Sequence, residues 1–214
     1  MVKPRRQRRW LSAARELLLA LVPAIVLAAV LWHVLPVSAS SAPRAWDDGV
    51  VRYYDSSGMH RAVVTAAERW NASGARVRLE EVVSAKDADV IIENDDRKLR
   101  SLCGLDCLGY TTSIGRPSRG TTHVLLAGEL RGNPRPLSVW VAAHELGHVL
   151  GLEHRDGRSC SLMSPHAFDT RCAPSLAADP PTLDQLACVP APMDVTAAVD
   201  LYGGQPPYDD PRCR

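Results

Sequence analysis

Apolar and polar residues recur along residues 46–203 with two different periods, which predict strands and helices in one segment. Strands are indicated by period-two alternation or by β-branched runs. We predict five of them, at Val50–Tyr54, around Val77 and Leu79, at Val90–Ile92, at Leu108–Ile114 and at Thr121–Ala127. Apolar residues at helical spacing predict three helices, one beginning near Met59 and two covering Leu137–Gly151 and Asp194–Tyr202. Strands that alternate with helices indicate a mixed α/β sheet domain with helices packed on the sheet.

Local residue choices mark where these elements start and where regular structure stops. Asp55-Ser56-Ser57-Gly58 offers capping hydroxyls to the helix that begins near Met59. The segment Pro165–Pro192 is rich in Pro, Ala and Asp, which predicts an irregular loop. We therefore expect one domain at residues 46–203, followed by a tail at residues 204–214.

The N-terminal part of the chain has the pattern of a targeting segment. Residues 1–16 hold six of the 25 Lys and Arg but only one of the 24 Asp and Glu. Residues 17–35 form an apolar run of 19 residues, longer than a typical secretory core of ~7–15 and close to the ~20 of a spanning helix. Small residues in the linker at 36–45 also fit a cleavage site, so a cleaved signal peptide and a transmembrane signal anchor both stay open. In either case the positive-inside rule predicts an extracytoplasmic domain, either secreted or membrane-anchored.

Charge and cysteine content limit the classes of function and the cellular compartment that fit the exported part. It is mildly acidic and has no basic stripe, which excludes nucleic acid as a partner. All six cysteines lie in it, and an even number in an oxidising compartment predicts up to three disulfides. Proximity along the chain favours the pairs Cys103 with Cys107, Cys160 with Cys172, and Cys188 with Cys213. We expect a monomer that contacts the membrane only through its N-terminal segment.

The predicted helix Leu137–Gly151 carries the strongest chemical signal in the chain. His144 and His148 are four residues apart, so both imidazoles lie on one helical face and can reach one metal ion. Glu145 is rotated away from that face and can reach a metal-bound water as a general base. Gly151 permits a sharp break in the helix, after which His154 supplies a third nitrogen. Three histidines leave one open position on a tetrahedral zinc, as in catalytic sites.

These residues resemble the motifs of a known peptidase family. His144–His154 resembles the extended motif His-Glu-x-x-His-x-x-Gly-x-x-His of the metzincins, which include the matrixins. Ser161–Pro165 resembles the Met-turn, in which a methionine, here Met163, lies beneath the zinc. Asp194–Gly203 resembles the closing helix of matrixins. The resemblance implies an α+β fold, a metzincin-like zincin domain with a mixed twisted sheet, an active-site helix, a Met-turn and a C-terminal helix.

The resemblance also implies an activity, that of a zinc-dependent endopeptidase acting on proteins or peptides. One catalytic Zn²⁺ would be held by His144, His148 and His154. A zinc-activated water would attack the peptide bond, with Glu145 as the general base. An extended substrate would pair with the strand Leu108–Ile114, and Met163–His166 would shape the specificity pocket. The residues that bind substrate, and any requirement for Ca²⁺, are not readable from the sequence.

The sequence departs from the family pattern at several positions, and two other functions are compatible with it. Arg155 follows the third histidine where matrixins usually have Ser, and Met193 replaces one member of an acidic pair, leaving Asp194 alone. His123 falls where matrixins place one ligand of a second zinc, but without matching partners we expect an ordinary strand residue. The cysteines around Met163 resemble those of small secreted bacterial neutral proteases, whose third ligand is usually Asp. A non-catalytic extracellular zinc-binding or adhesion domain and a zinc amidase acting on cell-wall material stay open as alternatives.

Overall fold

The computed structural model describes residues 45–131, 135–155, 161–165 and 189–206. The basic segment, the predicted signal or anchor, and the linker up to residue 44 lie outside these residues. So do most of the predicted loop 165–192 and most of the tail. Within the described ranges, no helix is both long and apolar enough to cross a membrane.

The described residues form five strands and four α-helices. The strands are β1 (Val50–Asp55), β2 (Arg78–Glu81), β3 (Val90–Glu93), β4 (Gly109–Thr111) and β5 (Thr122–Leu126). The helices are α1 (His60–Asn71), α2 (Asp96–Cys103), α3 (Arg135–Val149) and α4 (Pro192–Tyr202). All five predicted strands and all three predicted helices are confirmed, with ends that differ by a few residues. The result is the α+β class that the sequence predicted.

The strands form one mixed sheet in the order β2-β1-β3-β5-β4. β1 is parallel to both β2 and β3, and β3 is parallel to β5. Only β4 is antiparallel; it pairs with β5 in the register Gly109 with Leu126 and Thr111 with Val124. The β-branched run in β3 therefore occupies the centre of the sheet, and β4 forms one edge.

Helix α3 lies in the middle of the core, and all of its residues from Ser138 to Val149 are buried. A helix that is apolar on every side is expected where it is covered on every side. The fully buried Trp70 of α1 packs against it, and its indole Nε1 donates a hydrogen bond of 2.9 Å to the carbonyl of Ala143. The core thus holds in place the helix that carries the histidine motif.

Helix α2 was not predicted, because it lacks an apolar stripe. Half of its eight residues are charged, and Leu99 is its one buried residue. The Asp95 carboxylate caps its start by accepting a hydrogen bond of 3.0 Å from the backbone N–H of Lys98. A helix held by capping and by a single buried side chain leaves too weak a period for sequence analysis to detect.

The prediction that a hydroxyl caps α1 is wrong. Met59 is the N-cap residue, and no side chain makes the capping bond. Ser57 instead accepts a hydrogen bond from the N–H of Met59 at 3.0 Å, and its own N–H and hydroxyl donate to the Asp55 carboxylate. The polar run therefore forms the turn that precedes the helix.

The C-terminal end of α3 is closed by a Schellman motif. The N–H of Leu152 donates to the carbonyl of Gly147, and the N–H of Gly151 donates to the carbonyl of His148, both at 2.9 Å. Gly151 has a φ of 96°, a left-handed conformation that costs other residues strain. The predicted helix break at Gly151 is therefore confirmed.

Two aromatic side chains from the ends of the domain bind the next two carbonyls of this helix end. The indole Nε1 of Trp46 donates to the Val149 carbonyl at 2.9 Å, and the hydroxyl of Tyr202 donates to the Leu150 carbonyl at 2.8 Å. Carbonyls in the last turn of a helix have no partner within the helix and must find one elsewhere when they are buried. Trp46 and Tyr202 therefore fix where α3 stops.

We predict that Tyr202→Phe lowers the free energy of unfolding by about 1–3 kcal/mol, because the buried Leu150 carbonyl then loses its donor. Urea denaturation measures the change. Tyr54→Phe is the matched control, since the Tyr54 hydroxyl makes no hydrogen bond to the described residues. Equal stabilities of the two variants would contradict the role assigned to Tyr202.

Candidate metal centre

Three histidine side chains converge at the C-terminal end of α3. The Nε2 atom of His154 lies 3.2 Å from Nε2 of His144 and 3.1 Å from Nε2 of His148. Two of the rings come from the helix, and the third comes from the chain just beyond the break at Gly151. Among the described residues, they form the one group of three or more ligand-type side chains close enough to hold a metal ion.

The hydrogen bonds of the first two histidines determine which ring nitrogen carries the proton. Nδ1 of His144 is 2.7 Å from the Leu162 carbonyl, and Nδ1 of His148 is 2.7 Å from the Leu152 carbonyl. A carbonyl oxygen can only accept, so each Nδ1 carries the proton and each Nε2 presents a lone pair. This orientation of a metal-binding histidine by a backbone carbonyl is common around protein metal sites.

Both helix histidines are held neutral. Burial, together with the neighbouring His148, lowers the pKa of His144 to about 3. Burial likewise lowers the pKa of His148 to about 4, although its bond to Leu152 acts in the opposite direction. A neutral imidazole is the form that binds a metal ion.

The spacing of the three nitrogens fits a tetrahedral ion. Zinc binds histidine nitrogen at about 2.0–2.1 Å, which separates two ligands of a tetrahedron by about 3.3 Å. The distances of 3.1 and 3.2 Å are close to that value. Three histidine nitrogen ligands suit zinc, and the fourth position would be open to water or substrate.

The Glu145 side chain is buried between α3 and the edge strand β4. Its Oε2 atom accepts a hydrogen bond of 2.7 Å from the hydroxyl of Thr111. Gly109 presents its backbone to the same carboxylate, so closely that a Cβ atom there would overlap Oε1. Burial raises the pKa of Glu145 to about 7, and the bond from Thr111 opposes that rise. The contacts of Gly109 and Thr111 with Glu145 were not predicted, because nothing in a strand sequence shows which distant residue its side chains face.

Met163 lies directly beneath the histidine helix. It is fully buried, and a Cβ atom at Gly147 would overlap its Sδ atom and lie 3.2 Å from Cζ2 of Trp70. Gly147 is therefore the position at which the methionine turn can approach the helix. The predicted position of Met163 beneath a zinc ion stays a prediction.

The carboxylate of Asp194 ties this turn to helix α4. It accepts hydrogen bonds from the Ser161 hydroxyl, from the Leu162 N–H at 2.7 Å and from the Ala191 N–H at 3.1 Å. Burial raises the pKa of Asp194, and these hydrogen bonds act in the opposite direction. Because the Leu162 carbonyl in turn orients His144, the last helix is connected to the metal-binding ring through one turn.

Trp140 is a further contact that the sequence did not predict. Its ring stacks on that of His144, with centroids 5.3 Å apart and an angle of 22° between the planes. The two residues are one helical turn apart, a spacing that could have suggested the contact. The stacking restricts the orientation of the His144 ring.

The remaining predictions concern the cysteine pairs, the specificity pocket and His123. The Cys103–Cys107 disulfide is confirmed. The other predicted pairs involve Cys160, Cys172, Cys188 and Cys213, which lie outside the described residues, as does His166 of the predicted pocket. His123 lies in β5 as expected, with its Nδ1 2.9 Å from a carboxylate oxygen of Glu93.

Comparison with known proteins finds similarity to a peptidase family and to one extracellular protease. A family model described as Matrixin, peptidase M10, matches residues 51–173, more than half of the chain. The chain is 35% identical over 100 residues to the extracellular small neutral protease of Streptomyces lividans. That match covers 46% of this chain and 37% of the relative, so the chain spans little more than a third of the relative's length.

We predict that Gly147→Ala destabilises the protein by about 1–2 kcal/mol. Alanine favours a helix over glycine by about 1 kcal/mol, but overpacking in a filled core costs about 1–3 kcal/mol, and the overlap with Met163 is severe. Denaturant unfolding of the single variants and of Gly147→Ala/Met163→Ala measures the coupling. The second substitution should cancel part of the loss; strictly additive effects would show that the two residues do not clash.

Proposed function

Because the chain belongs to the matrixin family of peptidases, we propose that it is a zinc-dependent metalloendopeptidase. His144, His148 and His154 hold one zinc ion, and Glu145 is the general base. The observation that carries the proposal is the convergence of three histidine Nε2 atoms at the end of helix α3. Glu145, the residue directly after His144 in that helix, is buried beside them.

Each residue of the site has a definite task in peptide hydrolysis. Zinc, when bound, supplies Lewis acidity that polarises the scissile carbonyl and a nearby water molecule. Glu145 takes a proton from the attacking water and passes it to the leaving amine. Its burial supports this role, since a carboxylate with a pKa raised to about 7 accepts and returns a proton more readily than an ordinary one.

The outer edge of β4 pairs with no other described strand, so this open edge offers a place for an extended substrate. The bonds between β4 and β5 run through alternate residues: the Leu108 carbonyl accepts from Ala127, and the Thr112 N–H donates to His123. In an antiparallel ladder the intervening residues direct their backbone groups away from the partner strand. Gly109 and Thr111 therefore face the open edge, next to Glu145, where a substrate strand can add to the sheet.

The site of action that we propose is outside the cytoplasm. The basic segment and the apolar run at the N-terminus support export, and the relative from Streptomyces lividans is named as an extracellular protease. The domain would be released or held at the membrane by its N-terminal segment. Its partners would be protein or peptide substrates.

We predict one zinc ion per chain, measured by elemental analysis of the purified full-length protein. His148→Ala should lose zinc on dialysis, because two histidines bind far more weakly than three. His60→Ala is the control, since His60 is exposed and its ion-pair partners among the described residues are the carboxylates of Asp55 and Glu81. Full zinc content in the His148 variant would exclude the proposed ligand set.

We predict that Glu145→Gln keeps its zinc and loses turnover of a peptide library by about 10²–10⁴-fold, because it removes the base but no ligand. Glu68→Gln, an exposed change on α1, serves as the control and should behave as wild type. Wild-type turnover by the Glu145 variant would disprove the mechanism. Hydrolysis of cell-wall amides without cleavage of peptides would favour the amidase, and zinc binding without either activity would favour the adhesion domain.

A further inference from the structure

The Glu145 carboxylate is held from one side by β4. The Thr111 hydroxyl lies 2.7 Å from Oε2 and 3.2 Å from the backbone carbonyl of Glu145. A hydroxyl has one proton to donate, and a charged acceptor at the shorter distance forms the stronger bond. Thr111 therefore donates to the carboxylate. No other hydrogen bond to this carboxylate involves the described residues.

Gly109 controls the space on the other side of the same carboxylate. A Cβ atom at Gly109 would overlap Oε1 and would lie 2.8 Å from Cγ and 2.9 Å from Cδ of Glu145. Gly109 and Thr111 are two residues apart, so both side-chain positions lie on the same face of β4. One strand thus offers the glutamate a close-fitting surface and a single hydrogen-bond donor.

We propose that Thr111 is a positioning residue for the general base. Its hydroxyl donates a hydrogen bond to Oε2 and fixes the orientation of the carboxylate. Oε1 is therefore the oxygen that takes the proton from water and later gives it to the leaving amine. Oε2 keeps its bond to Thr111 throughout. This inference rests on the proposed function and adds to it the residue that decides which oxygen reacts.

The physical reason is rotational freedom. The terminal torsion of a glutamate side chain is broad, and without the hydroxyl no hydrogen bond from the described residues selects one orientation of the carboxylate. A displacement of about 1 Å in a reacting group can lower a rate by about 10²-fold. The loss should fall on kcat, because the base acts in the chemical step and takes no part in holding the substrate.

The test compares Thr111→Val, which keeps the shape and removes the hydroxyl, with Thr111→Ser, which keeps the hydroxyl. Thr112→Val is the matched control, since Thr112 is exposed directly after β4 and its hydroxyl accepts a hydrogen bond from the backbone N–H of His123 rather than bonding Glu145. We expect Thr111→Val to lower kcat about 10- to 100-fold with KM within about twofold and full zinc content. Thr111→Ser and Thr112→Val should stay within about threefold of wild type.

A second set of measurements distinguishes positioning from general support of the fold. Thr111→Val should cause no further loss in the Glu145→Gln background, since its effect passes through the carboxylate. A crystal structure of the zinc-loaded Thr111→Val protein should show the Glu145 carboxylate turned from its wild-type position. Gly109→Ala should lower kcat in the same way, because the new Cβ displaces Oε1.

Several outcomes would overturn the inference. Wild-type kcat in Thr111→Val would do so, as would an unmoved carboxylate, an equal loss in the Glu145→Gln background, or a lower kcat that only tracks lost zinc or lost folded protein. A Thr111→Ser variant as poor as Thr111→Val would also count against it. If wild type and Glu145→Gln have the same turnover, the proposed function itself fails, and the role of Thr111 falls with it.

Discussion

The site depends on the way in which helix α3 ends. A helix leaves its last carbonyls without partners, and here they are buried. Backbone N–H groups of Gly151 and Leu152 bind two of them, and the side chains of Trp46 and Tyr202 bind the next two. The chain can therefore reverse direction immediately after the helix. That reversal brings His154 back to the two helix histidines.

The same closure joins segments that are distant along the chain. Trp46 begins the described domain and Tyr202 ends α4, and both meet at the C-terminal end of α3. Asp194 provides a second link from α4, through the turn whose Leu162 carbonyl orients His144. The geometry of three imidazole rings is thus set by helix capping and by turn hydrogen bonds.

Much of the fold and of the candidate site could be predicted from the sequence, and the features that were missed have clear physical causes. The strands, the long helices and the histidine spacing are local patterns, so residues near one another carry the whole signal. Helix α2 was missed because Leu99 is its one buried side chain. The bond from Thr111 to Glu145 joins positions 34 residues apart, which no local period encodes. The approach of the three histidines was predicted and is present; their role as zinc ligands and that of Glu145 as base stay predictions.

The two buried, neutral histidines also make a contribution to folding that acid removes. In the unfolded chain each would bind a proton at the ordinary histidine pKa of about 6.5, whereas in the folded protein the pKa is about 3 for His144 and about 4 for His148. Protons therefore bind the unfolded chain more readily than the folded one. The stability that these two side chains contribute is present above about pH 6.5 and is lost as the pH falls towards their folded values. Readiness to bind a cation at neutral pH thus carries a cost to folding in acid, which the raised pKa of Glu145 opposes because the folded chain binds that proton more readily.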